Sequence, residues 1–128
     1  MTQLEMLNPD TAPQPRAPLS SAIRWDQFVF VSGQVPRTVD GQEETGSATA
    51  QTHVVIANLK AILEAAGSGL DRVLKTTVFL TDMADFAEVN AVYAEAFGDH
   101  RPTRSAVQVA ALGKPGFRVE IEAMAVLR

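Results

Sequence analysis

Arg104, Glu120 and Glu122 lie on two runs of alternating residues, Arg104-Ser105-Ala106-Val107-Gln108-Val109 and Phe117-Arg118-Val119-Glu120-Ile121-Glu122-Ala123. Successive side chains of a strand point to opposite faces. Val107 and Val109 are therefore expected on a core face, with Arg104, Ala106 and Gln108 on the other. On the second run Phe117, Val119, Ile121 and Ala123 alternate with Arg118, Glu120 and Glu122. The loop from Ala110 to Gly116 is long enough for the two strands to pair antiparallel or for each to join a different neighbour. Either way a sheet face bearing a guanidinium and carboxylates is expected. A guanidinium on a rigid element grips a small carboxylate through two parallel charge-assisted bonds. A carboxylate beside it can orient or deprotonate a water. The same spacing also serves a solvated face, or an ion pair of Glu120 with Arg118 or Arg104.

Other chemistries are limited by what the chain lacks. It has no cysteine, which excludes thiol nucleophiles, disulfides and thiolate-held metals and makes a cytoplasmic location the economical expectation. His53 and His100 are far apart and form no metal-ligand spacing, so no metal is expected. Neither histidine sits in a motif that would activate Ser32 as a nucleophile. The net charge of -4 comes without a Lys/Arg cluster, which argues against a nucleic-acid partner. No segment is apolar over a bilayer-spanning length, and the first residues lack the pattern of a secretory signal. With 46% apolar and 20% charged residues among 128, the chain has the composition of a folded protein and the length of one domain, 1–128.

The elements that must position these residues can be read in order. Residues 1–18 form a proline-rich arm, with four prolines between Asn8 and Pro18 that favour an extended strap. Ser21 to Arg24 and Phe28 to Ser32 read as a hairpin ended by Gly33, and Val39-Asp40-Gly41-Gln42 as a tight turn. From Ser47 to Ala66, the residues Val55, Ile56, Leu59, Ile62, Leu63 and Ala66 recur at helical steps, and Gly67 follows as a terminator. Val73 to Leu80 is a strand apolar enough for the middle of a sheet. Asp82 and Asp85 precede a second helix with the stripe Phe86, Val89, Asn90, Tyr93, Ala94 and Phe97, stopped by Gly98. The order ββ-α-β-α-β-β predicts an α/β sandwich with both helices on one sheet face. The opposite face then needs a cover, which oligomerisation would supply.

Several of these segments together resemble the RidA (YjgF) family of small imine deaminases. They are Phe30-Val31-Ser32-Gly33-Gln34-Val35-Pro36, Asn58 to Gly67, Lys75-Thr76-Thr77-Val78-Phe79, Val89-Asn90-Ala91-Val92-Tyr93, Arg101-Pro102-Thr103-Arg104-Ser105 and Val119-Glu120-Ile121-Glu122-Ala123. The resemblance runs from about Asn8 to Arg128. It implies a chorismate-mutase-like α+β fold with a mixed six-stranded sheet, and a homotrimer with a central barrel and clefts between subunits. It further implies hydrolysis of 2-imino and 2-enamino acids to 2-oxo acids and ammonia without a cofactor, with Arg104 binding the substrate carboxylate and Glu120 directing the water. Ser32, Gly33, Phe86 and Asn90 would line the pocket, with the Ala106 carbonyl facing the imine. Leu19 stands where many relatives carry tyrosine, which makes the pocket mouth more apolar. Two alternatives stay open: a pathway-specific deaminase of the aminomuconate type, and a non-catalytic trimer that binds small carboxylic acids.

Overall fold

A computed structural model of the protein describes residues 3–128. Within the arm expected over residues 1–18, Glu5–Leu7 form strand β1, which pairs antiparallel with β2 (Ala22–Trp25), so this part of the arm is a sheet strand. The arm between them returns the chain without regular structure and buries Ala12 against the core. β2 and β3 (Phe28–Gln34) close the expected hairpin, with Trp25 opposite Phe28 and a left-handed Asp26 (φ 55°) in the turn. Gly33 does not end β3. It sits inside the strand, where the register against the last strand shifts between Val31 and Gln34, as a β-bulge does.

Helix α1 (Ala48–Ala65) starts at Ser47, whose hydroxyl accepts the Ala50 amide at 3.1 Å. It ends in a Schellman arrangement, with Gly67 at φ 88° and the Ser68 amide donating to the Leu63 carbonyl at 2.8 Å. Val55, Leu59, Ile62 and Leu63 are at most 1% exposed, so the helical stripe is the core face. Strand β4 (Val73–Leu80) follows, then a short 3-10 turn that Asp82 caps through the Ala84 amide. Helix α2 (Phe86–Phe97) buries Val89, Val92, Tyr93 and Phe97. Ala94, expected on that stripe, is exposed, and Val92 takes the place in the core.

The last strands are β5 (Thr103–Gln108) and β6 (Val119–Val126), and the sheet order is β1-β2-β3-β6-β4-β5. β6 enters the centre, antiparallel to both β3 and β4, while β5 lies at the edge, parallel to β4. The two alternating runs therefore join different strands and do not pair with each other. Both helices cover one face of this α+β sheet, where Val29, Val31, Val78, Leu80, Val119 and Ile121 meet α1 and α2 in a single cluster.

The face assignment of β5 is the reverse of the sequence expectation. Arg104 and Thr76 are register partners, and Thr76 bonds Tyr93 on α2, so Arg104 and Ala106 lie on the helix side. Val107 points to the uncovered face and is 43% exposed. The edge position explains this: a long side chain there lies against the face of α2 that carries Asn90 and Tyr93 and stays part-exposed, so its charge need not enter the core. Trp25 and Phe30 share the uncovered face with Val107.

Candidate active site

Strand β5 projects Arg104 toward α2, and the helix supplies a matching face at i, i+4 and i+7: Phe86, Asn90 and Tyr93. Asn90 accepts a hydrogen bond from Arg104 Nη1 at 2.8 Å. The guanidinium carbon lies 4.9 Å from the Tyr93 ring centre and 5.6 Å from that of Phe86. Such stacking fixes the plane of the guanidinium while leaving its edges for acceptors. Tyr93 is itself held, its hydroxyl 2.7 Å from Thr76 Oγ1. Burial keeps its phenol above the ordinary value of 10.0 against the opposing pull of Thr76 and Arg104, so it stays neutral. Asn90, Tyr93, Ala94, Arg101, Pro102 and Arg104 surround a cavity of about 300 Å³. The Asn90 carbonyl takes one guanidinium edge, and the arrangement is suited to present another to a carboxylate.

Glu120 occupies a second cavity, of about 520 Å³, with Leu19, Gly33, Gln34, Arg37 and Phe117 along its walls. It is a neighbour of Phe79 in the register of β4 and β6, on the sheet face opposite to Arg104. No hydrogen bond or ion pair engages its carboxylate among the described residues: Arg118 pairs instead with Asp85 at 3.1 Å, and Arg104 with Asn90. Burial pushes the Glu120 carboxyl above its ordinary value of 4.5, and the neighbouring Glu122 pushes the same way. A carboxylate of this kind is a stronger base than usual. Gly33 makes its placement possible, because a Cβ there would lie 2.5 Å from Glu120 Oε2.

Ser32 donates its hydroxyl to the Ser20 carbonyl at 2.7 Å. It thereby ties the strap to β3 and sets the position of Leu19, which is half exposed over the cavity. Ala106 is packed against the core on edge strand β5, opposite Val78. Within one chain, then, Arg104, Phe86 and Asn90 form one group, Glu120, Gly33 and Leu19 form another, and the two are separate.

Three contributors go beyond the sequence reading. Tyr93 was assigned to the core stripe, yet it is the closer of the two rings under Arg104. A hydroxyl on a buried stripe needs a partner, and that need was the available signal. Gln51, fully buried on α1, donates to the Gly46 and Gly116 carbonyls at 3.1 and 2.8 Å and accepts the Arg118 amide at 2.7 Å. It anchors the loop leading into β6 and hence Glu120. Arg37 emerges as a wall of the Glu120 cavity. His53 is exposed on α1, and His100 Nε2 lies 2.7 Å from the Val73 carbonyl. Among the described residues no cluster of His, Asp and Glu could hold a metal, and no helix is long and apolar enough to cross a membrane.

Comparison with known proteins gives the following similarities. A family model described as Endoribonuclease L-PSP matches residues 9–127. A RutC family protein of Pyrococcus horikoshii is 47% identical over 124 residues, covering 94% of this chain and 96% of the relative. The mouse 2-iminobutanoate/2-iminopropanoate deaminase is 42% identical over 123 residues, covering 95% of this chain and 90% of the relative. The crystal structure of Escherichia coli TdcF with bound serine superposes with a TM-score of 0.91 at 38% identity, covering 97% of this chain and 99% of that one.

Proposed function

The chain belongs to the YjgF/RidA family, and from that premise we propose that it is an imine deaminase whose active site is completed between subunits of a homotrimer. The observation that carries this reading is the division of the site: an oriented guanidinium at a sheet edge and an unpaired, basic carboxylate on the opposite, uncovered face. Docking the edge of one subunit against the uncovered face of the next brings Arg104 of one chain to Glu120 of another. It also covers Phe30 and Val107. The similarity to a mouse protein named for 2-iminobutanoate and 2-iminopropanoate, and to a structure of TdcF holding serine, supports a small 2-amino or 2-imino acid as ligand.

In this mechanism Arg104 binds the substrate carboxylate, with Phe86, Asn90 and Tyr93 fixing the plane of its guanidinium. Glu120 accepts a proton from water as its oxygen attacks C2 of the protonated imine, giving a neutral carbinolamine. The same carboxyl returns that proton to nitrogen. As the C–N bond breaks, the carboxylate takes up the carbinolamine hydroxyl proton and passes it to the departing ammonia, so that ammonium and the 2-oxo acid leave. One water is consumed and no electrons are transferred. The reaction asks for positioning and a single proton shuttle, which suits a site with one free base.

The test follows 2-oxo-acid release from freshly generated 2-iminopropanoate and 2-iminobutanoate, without protein, with wild type and with Arg104→Ala. A charge-assisted bond of about 1.5–3 kcal/mol predicts that Arg104→Ala lowers kcat/KM by roughly one to two decades. Absence of acceleration by a folded wild-type trimer refutes the reading. The description of the matching family model names a second activity, so degradation of single-stranded RNA is measured in parallel. RNA cleavage lost with Glu120→Gln would replace the deaminase reading with a nuclease one.

A further inference from the structure

We propose that Arg37 is a specificity-determining residue that holds a second acidic group, so that the preferred substrate is a 2-imino acid with another carboxylate at its far end. This rests on the deaminase reading of the same cleft. Arg37 lies in the wall of the Glu120 cavity, together with Leu19 and Gly33. Its backbone is pinned on three sides. The buried Asn58 of α1 donates to the Arg37 carbonyl at 2.8 Å, the Arg37 amide donates to Val35 at 2.7 Å, and a bridge joins Arg37 to Glu43.

The side chain is only 16% exposed and stacks over Phe117, 5.9 Å from the ring centre. Its Nε is enclosed without a hydrogen-bond partner among the described residues. Glu43 forms only a long ion pair with Nη2, at 3.6 Å, and shares the same carboxylate oxygen with Lys114 Nζ at 3.1 Å. A largely buried guanidinium with unused donors is costly to the fold. Stacking and backbone contacts hold this one in place, leaving its Nη edge for an acceptor from outside the chain.

The surroundings favour an anion there. Arg16 and Lys114 line the same cavity, so with Arg37 three cations face the carboxylates of Glu120 and Glu43, an excess of one positive charge. Glu120 makes no ion pair with any of these cations among the described residues. The first carboxylate of the substrate goes to Arg104 of the neighbouring subunit. Its carbon chain passes Leu19, whose apolar side chain suits methylenes, and the second carboxylate reaches Arg37.

The experiment compares kcat/KM for 2-iminoglutarate and 2-iminobutanoate, each generated in situ, in wild type, Arg37→Met and Arg37→Lys. Wild type is expected to favour the dicarboxylate. Arg37→Met should reduce that preference by about 10- to 100-fold, the loss of a buried charge-assisted bond, and Arg37→Lys should restore part of it. A preference that Arg37→Met leaves unmoved, or a wild type that favours 2-iminobutanoate, overturns the assignment. Calorimetric titration of the unreactive 2-oxoglutarate and 2-oxobutanoate separates this from failure of the deaminase reading. If no imine is accelerated, tighter binding of 2-oxoglutarate that Arg37→Met abolishes still supports Arg37, and equal binding of the two acids refutes it.

Discussion

Glu120 is the residue at which chemistry and stability pull in opposite directions. Its carboxyl sits above 4.5 because burial disfavours the charge and Glu122 repels it. A base acts only when ionised, so the acid limb of the kcat/KM profile should fall above pH 4.5, and Glu120→Gln should remove the activity that shows it. For folding, the native state binds this proton more tightly than the unfolded state. The contribution of Glu120 to stability therefore declines as pH rises from the unfolded value through the folded one. Above both values Glu120→Gln should be neutral or stabilising in urea unfolding, while remaining inactive. Gly33→Ala makes a related point, since its methyl would displace the Glu120 carboxylate and leave the hairpin in place. Far-UV circular dichroism should be unchanged, with kcat/KM reduced severalfold or more. At this scale, the helical stripe placed Phe86 and Asn90 one turn apart on one face, while their grouping with Arg104 came from the family resemblance and not from periodicity. The face of Arg104 was not legible. Alternation says which residues of a strand share a face, but the core side of an edge strand depends on what the helix face offers a long cation.

Elements, more than contacts with ligand, decide how firmly the site is held. Gln51 joins α1 to the loop ahead of β6 through three hydrogen bonds. Gln51→Leu strands the Gly46 and Gly116 carbonyls and the Arg118 amide, and each buried unsatisfied group costs about 1–3 kcal/mol. A loss of roughly 2 kcal/mol or more is expected by urea denaturation, with faster amide exchange across residues 110–118. Helix α1 was readable from its Ser47 cap to Gly67 because cap, stripe and terminator agree along the sequence. β1 was not, since Glu5-Met6-Leu7 is too short to show a period and lies before the prolines of the arm. Its pairing is decided by Ala22–Trp25, a partner remote in sequence.

On the scale of the whole molecule, the uncovered face is the feature that most needs a partner. Trp25 is 46% exposed, Val107 43% and Phe30 39%, and exposed large apolar side chains spread across one bare sheet face mark an interface. Under the trimer proposed above, Val107→Asp should shift the light-scattering mass toward monomer and abolish turnover together. A subunit-mixing experiment tests the shared site directly. Arg104→Ala and Glu120→Gln trimers are each expected to be strongly impaired, and hybrids formed by denaturing and refolding them together should regain activity, because some clefts then receive an intact Arg104 and an intact Glu120 from different chains. No recovery would place both residues in the cleft from the same chain. The need for a cover was readable from the sequence, as a two-helix sandwich leaves one sheet face bare. The topology has a separate consequence for biosynthesis. Strand β6, which follows both helices and β5 along the chain, is inserted between β3 and β4 at the middle of the sheet. A ribosome that has translated everything up to Arg118 has produced both helices, β3 and β4, but not the strand that joins the two halves of the sheet. The sheet closes only after β6 emerges, which leaves the edges of β3 and β4 unpaired until then.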